Sequence, residues 1–152
     1  MLRRRRALRV AAALVAASSL WAWPLAPPHP VVRPFLAPAT TYGPGHRGLD
    51  IEGADGAPVL APADGVVRFS GWVVDRPVLS IDHGGGLISS FEPVTSELVA
   101  GDAVRRGEAV GTLAAGHCAQ PCLHLGARLD GAYVSPLLFL GGQPRAVLLP
   151  LD

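Results

Sequence analysis

The 152-residue sequence contains no lysine: all thirteen basic residues are arginine, set against twelve acidic residues and five histidines. Five of the arginines, Arg3 to Arg6 and Arg9, crowd the amino terminus. The rest of the chain therefore carries eight arginines against twelve carboxylates, a balance of −4 before histidine. No basic stretch remains that could follow a phosphate backbone, so nucleic acid is excluded as the expected partner. The lack of lysine itself fits a GC-rich coding bias rather than a function. Any helical hydrophobic period of useful length is also missing. With eighteen glycines and fifteen prolines, that absence turns the fold class toward all-β, an antiparallel sheet or sandwich with a groove. There are two cysteines, Cys118 and Cys122, which allow one intrachain bridge.

The apolar run near the amino terminus is poor in strongly apolar residues, which favours a cleaved signal over a stable membrane span. Val10 to about Ala26 follows the arginine cluster, but it is alanine-rich and interrupted by Ser18 and Ser19, whereas roughly 20 strongly apolar residues are needed to cross a bilayer core. Charge followed by hydrophobe is the order of a secretory signal. Residues 1–26 accordingly read as a signal peptide, with Leu20-Trp21-Ala22 as a tolerable cleavage region, or as an uncleaved N-terminal anchor, the single route by which this chain would meet a membrane. The expected location is secreted or cell-envelope, outside the cytoplasm. Residues 27–40, with Pro27, Pro28, Pro30, Pro34 and Pro38, read as an extended connector with little regular structure. Val31-Val32 and Phe35-Leu36 form an apolar knot that could dock it, and His29 reads as solvated. Residues 41–152, about 110 in number, form one domain with a modest core.

Within that domain the sequence reads as short strands divided by turns. Val59 to Ala61 precedes Ala63-Asp64-Gly65, and Val66 to Val74 is β-branched and aromatic, suiting a pleated surface. Pro77 to His83 and Leu87 to Val94 are joined by Gly84-Gly85-Gly86; Ala103 to Arg105 and Ala109 to Leu113 follow as a short pair. Cys122 to Leu129 and Ala132 to Val134 are split by Asp130-Gly131, a strong hairpin signal. In Cys122 to Leu129 the residues Leu123, Leu125, Ala127 and Leu129 make an apolar face, leaving Cys122, His124, Gly126 and Arg128 on the other. His124 then faces solvent or a cleft.

The most concentrated chemistry lies in Gly45-His46-Arg47-Gly48-Leu49-Asp50. His46 and Asp50 are four residues apart around Gly48, whose backbone freedom permits a turn that aims both at one point. Zinc in a hydrolytic site takes three protein ligands of histidine and carboxylate type. His46, Asp50 and His124 would supply such a set, where the ion makes water a nucleophile near neutral pH and polarises a substrate carbonyl.

At this point the chain resembles the lysostaphin-type, or LytM-type, zinc metallopeptidases, which cut peptide bonds in bacterial peptidoglycan. The resemblance covers most of Gly45 to Leu138. His46-Arg47-Gly48-Leu49-Asp50 is similar to the family's His-x-Gly-x-Asp motif. Pro58-Val59 with Ala61-Pro62-Ala63-Asp64-Gly65-Val66-Val67 is similar to the strand and turn that follow it. Ile81-Asp82-His83-Gly84-Gly85-Gly86 resembles the His-Gly-x-Gly hairpin, giving His83 a structural rather than catalytic place, and Gly101-Asp102-Ala103-Val104 with Gly107 and Val110-Gly111 resembles the Gly-Asp-x-Val segment. The resemblance implies the duplicated-hybrid-motif fold, zinc at the floor of a groove held by His46, Asp50 and His124, and peptidoglycan as substrate.

The departures lie beside the ligands. Cys122 stands where the family's last motif has its first histidine, and Phe91-Glu92-Pro93-Val94 stands where the family has Tyr-x-His-Leu. Both histidines expected to orient water or stabilise the tetrahedral intermediate are replaced. Glu92 and His117 are the candidates to do their work, and the alternative is a catalytically impaired zinc-binding relative that binds cell wall or regulates another hydrolase. Cys122 could be a fourth zinc ligand closing the site, a thiol nucleophile with His124, or the partner of Cys118 in a disulfide, the reading favoured by an exported context and near spacing. A non-enzymatic carbohydrate-binding sandwich would instead carry no metal.

Overall fold

The computed structural model describes residues 20–141, and its regular structure is almost entirely antiparallel β. The strands in chain order are β1 (Val31–Arg33), β2 (Gly48–Glu52), β3 (Pro58–Leu60), β4 (Gly65–Val73), β5 (Arg76–Asp82), β6 (Leu87–Glu92), β7 (Val94–Thr95), β8 (Ala103–Val104), β9 (Ala109–Leu113), β10 (Cys122–Leu129) and β11 (Ala132–Val134), followed by one helical turn, α1 (Leu137–Leu140). The main sheet runs β1-β2-β10-β6-β5-β4-β8, with β11 also paired to β10, and a second sheet runs β3-β9-β7.

The expected strands fall within a residue or two of the observed ones because the turns between them are chemically explicit. Asp130 and Gly131 both take positive φ, 50° and 85°, the combination a tight hairpin requires. Pro93 divides the expected Leu87–Val94 strand: β6 ends at Glu92 and β7 leaves for the other sheet, pairing with β9, since proline has no N–H to continue the ladder. Leu129, expected on the apolar face, is 38% exposed, because it pairs with Ala132 at the hairpin end, beyond the reach of the core.

Two-residue alternation sorts the main sheet into two faces. Leu123, Leu125 and Ala127 of β10, Leu87 and Phe91 of β6, Leu79 and Ile81 of β5 and Leu49 and Ile51 of β2 are buried together with Val59, Val94, Val110 and Leu113 from the second sheet. Each of the larger side chains contributes roughly 1.5–3 kcal/mol by leaving water. The opposite face of β10, β6 and β5 is open and carries the polar residues of the site.

Trp21 and Leu25, within the stretch expected to be a leader, lie in the core, and the Trp21 ring sits 4.9 Å from that of Phe139. The Trp21 backbone N–H donates to the Phe139 carbonyl and the Ala22 backbone N–H to that of Pro62. The part of the apolar run expected up to residue 19 lies outside the described residues. The connector is likewise part of the sheet: Val31–Arg33 pairs with β2 and Leu36 bridges to His46. Backbone ladder bonds dock it, not the apolar knot, since Val31, Val32 and Leu36 all remain exposed. His29 is half-buried rather than solvated; it stacks on Trp23 with centroids 4.5 Å apart and bonds to the Leu25 carbonyl.

Candidate metal centre

Three stretches distant in sequence meet at one carboxylate. Asp50 lies in β2, where pairing places it directly opposite His124 of β10. His46 precedes β2 and is fixed by its bridge to Leu36. His117 comes from the loop between β9 and β10, and the Cys118–Cys122 disulfide ties that loop to the start of β10. His46 Nε2, His117 Nε2 and His124 Nδ1 stand 3.1, 3.1 and 2.7 Å from the same atom, Asp50 Oδ1. The ligand-capable atoms of all four residues lie within 4.8 Å of one another.

Close packing makes this convergence possible. A Cβ on Gly48 would run into the His124 imidazole and the Leu125 carbonyl oxygen, and one on Gly126 would meet the Ser90 hydroxyl. Only glycine lets β2 and β6 approach β10 at these points, with the His124 ring lying across Gly48.

The orientation of His46 bears most directly on a metal. Its Nδ1–H donates to the Pro34 carbonyl at 2.8 Å, which leaves Nε2 with a lone pair. Nε2 is buried and has no hydrogen-bond partner, yet it faces the Asp50 carboxylate. Two acceptors 3.1 Å apart in a buried setting repel unless a cation sits with them. The donor set of imidazoles and a carboxylate suits zinc, and a backbone carbonyl holding the far ring nitrogen is the usual way to aim a metal-binding histidine. The residues present therefore fit the ion.

Electrostatics agree with that fit. Burial pushes the Asp50 carboxyl up, but the hydrogen bond and charge of His124, with His117 and His46 nearby, outweigh it and hold the carboxyl below its ordinary range. Burial holds the His124 imidazole below its ordinary value despite the hydrogen bond from its ring to Asp50. An ionised carboxylate beside a neutral imidazole is the protonation state that metal ligation requires.

The other candidates separate clearly. His46, Asp50 and His124 are together, and His117 joins them. Glu92 lies opposite His124 in the β6–β10 register, but its Oε2 is 3.3 Å from Arg76 Nε and it stands outside the cluster. Cys122 is bonded to Cys118, so the thiolate-ligand and thiol-nucleophile alternatives are set aside: neither sulfur has a free lone pair on a thiolate to offer. His83 is structural, donating from Nδ1 to the Asp64 carbonyl and accepting at Nε2 from the buried Ser89 hydroxyl. The Pro34 carbonyl that orients His46 was invisible in the sequence, because a backbone acceptor leaves no residue signature.

Comparison with known proteins places these features in a family. The family model described as Peptidase family M23 matches residues 44–136, a span that holds all four residues of the cluster. An uncharacterized protein of Mycobacterium tuberculosis is 45% identical over 129 residues, covering 80% of this chain and 52% of its own length. The chain thus spans about half the length of the curated relatives it matches first. The DD-carboxypeptidase/endopeptidase Mpg of Neisseria gonorrhoeae is 33% identical over 94 residues, covering 60% of this chain and 22% of its own. Among solved structures, the catalytic domain of the antimicrobial peptidase lysostaphin from Staphylococcus simulans superposes with a TM-score of 0.64 at 19% identity, over 75% of this chain and 93% of that one, a likeness of fold.

Proposed function

Because the chain belongs to peptidase family M23, we propose that it is an extracytoplasmic zinc endopeptidase that hydrolyses peptide bonds of peptidoglycan, with His46, Asp50 and His124 holding the ion and His117 serving as the proton-carrying histidine. The observation that carries the reading is the convergence of three imidazole nitrogens on Asp50 Oδ1, with His46 Nε2 buried and unpaired. When bound, zinc supplies Lewis acidity toward a substrate carbonyl and acidifies water.

The chain's own residues do the rest. Pro34 aims His46, Asp50 supplies the negative charge that offsets the cation, and β10 fixes the His124 ring across Gly48. Both family histidine positions are lost at Pro93 and Cys122, but the disulfide brings His117 within 3.1 Å of Asp50. Its imidazole reaches the centre from a loop rather than from a strand, and it can take a proton as bond formation begins and return it to the leaving amine. Glu92 does not serve this purpose because Arg76 already engages it. The disulfide also supports a location outside the cytoplasm.

A second reading rests on a specific observation, the replacement of both usual histidines. In it the centre binds zinc without turnover and the protein binds wall peptide or regulates another hydrolase. Release of peptide fragments from purified peptidoglycan by the zinc-loaded protein, with His124→Ala as control, separates the two. Fragment release by the wild type alone is expected. Zinc bound at one equivalent with no release supports the second reading, and release by both proteins, or no zinc bound, overturns the zinc-peptidase proposal.

A further inference from the structure

The open face of the main sheet continues from the metal centre into a groove of about 530 Å³. His124 lines one part of it, and Arg47, Arg68, Arg76 and Arg128 line the rest. Those are four of the seven arginines among the described residues, gathered on one face of a domain whose charge is otherwise acidic. The one carboxylate lining the groove, Glu92, is taken by Arg76 at 3.3 Å. Arg47 donates to the Thr41 and Gly43 carbonyls, neutral acceptors that steady the side chain but leave its charge. Arg128 and Arg47 both lie over the Tyr133 ring, 5.3 and 5.9 Å from its centroid, so one aromatic surface holds two cations. Among the described residues no carboxylate lies within ion-pairing distance of Arg68 or Arg128.

Uncompensated like charges at close quarters raise the energy of the compact state and attract an oppositely charged ligand. Guanidinium forks match carboxylates in a bidentate manner that a point charge does not. The groove floor mixes serine hydroxyls with Val78 and Ile88, a surface suited to an extended peptide rather than to a purely ionic polymer. A second pocket, bearing Trp72 and His117, shares Arg76 with the first, so the cleft extends past two of the three histidines around Asp50, His117 and His124.

We infer that this groove binds an acidic peptide and recognises its free carboxylates through Arg68 and Arg128, so that the enzyme discriminates against peptides whose carboxylates are amidated. The identity of the ligand as a peptide rests on the peptidase reading, but its binding is measured without turnover. The full chain is stripped of metal with EDTA and titrated calorimetrically at low ionic strength with a stem-type tetrapeptide bearing two free side-chain carboxylates, and with the same peptide amidated at both. The acid form is expected to bind about ten-fold more tightly, a difference equivalent to about 1.4 kcal/mol. Arg68→Gln with Arg128→Gln reduces the preference to within about two-fold while the thermal midpoint does not fall, since two uncompensated like charges are removed. Each single substitution, made in case the double variant is poorly soluble, reduces it about three-fold. Equal binding of acid and amide, a preference that survives the double substitution, or tighter binding of inorganic polyphosphate than of the acidic peptide overturns the inference. Failure of the zinc-loaded protein to release wall peptides would count against the peptidase reading and leave this result intact.

Discussion

His46 presents the lone pair of Nε2 to Asp50 Oδ1 at 3.1 Å, because its Nδ1–H is already committed to the Pro34 carbonyl. Nε2 is buried and makes no hydrogen bond to the carboxylate. The pair is complementary to a cation and to little else, which makes Asp50 the residue whose charge the centre can least lose. Asp50→Asn keeps the shape of the side chain and removes that charge. Loss of supporting groups around metal ligands commonly costs 10–100-fold in affinity, so zinc binding by the Asn variant should weaken by about 100-fold or more. Competition with a chromogenic chelator would measure it, and an affinity within about three-fold of wild type would remove Asp50 from the ligand set.

His117 makes a different prediction because it approaches from the disulfide-tied loop. If it carries a proton rather than holding the ion, His117→Ala should keep one equivalent of zinc with affinity within about three-fold. Peptide release should fall by roughly 10²–10⁴, the usual contribution of a general acid–base group. A variant that loses both zinc and activity would instead make His117 a ligand.

The Cys118–Cys122 bridge closes a loop with a sequence separation of 4. For so short a loop the chain-entropy effect on the unfolded state is about 2 kcal/mol. Cys118→Ser with Cys122→Ser should lower the urea midpoint by a corresponding amount, and it should also depress peptide release, since His117 adjoins Cys118. Zinc stoichiometry should persist, because Asp50 and His124 are held by β2 and β10 and His46 by its bridge to Leu36. Equilibrium unfolding and elemental analysis of the same preparation check both halves.

His83 sets a pH dependence away from the centre. Burial holds its imidazole below the ordinary value of 6.5, against the opposing influence of the Asp64 carbonyl. Below about pH 6.5 the unfolded chain takes up a proton that the folded chain refuses, so the unfolded state binds more protons and stability falls as the pH drops. His124, also lowered by burial, acts in the same direction. The urea midpoint should therefore decrease from pH 7.5 to pH 5.5, and His83→Gln should be less stable at pH 7.5 but show a smaller decrease. An unchanged pH slope in the variant would assign the effect elsewhere.

Most of the strand plan was legible because it is local. Alternation in β10, the Asp130-Gly131 turn and the glycine run after His83 each act over a few residues, where backbone sterics and side-chain period decide the outcome. His46, Asp50 and His124 were legible from residue type and motif as residues that would meet, and they do. His117 was visible as a candidate beside a cysteine, but nothing in its neighbours says that its ring reaches Asp50. The packing of residues 21–36 was not legible for the opposite reason: a proline-rich, partly apolar segment has the composition of a leader and connector, and the contacts of Trp21, Ala22 and Val31–Arg33 depend on Phe139, Pro62 and β2, all distant in sequence.

By itself the sequence determined an antiparallel β domain of the M23 peptidase type, a set of histidine and aspartate side chains of metal-ligand chemistry, and the substitution of two expected histidines by Pro93 and Cys122. Tertiary structure alone decided that Cys122 pairs with Cys118, that His117 enters the centre while Glu92 is held by Arg76, and that four arginines meet on one open sheet face. The physical reason is range. Strand period and turn preference are set by neighbouring residues, whereas a shared carboxylate oxygen, an orphaned ring nitrogen and a groove of uncompensated charge exist only after strands far apart in the chain have been brought into register.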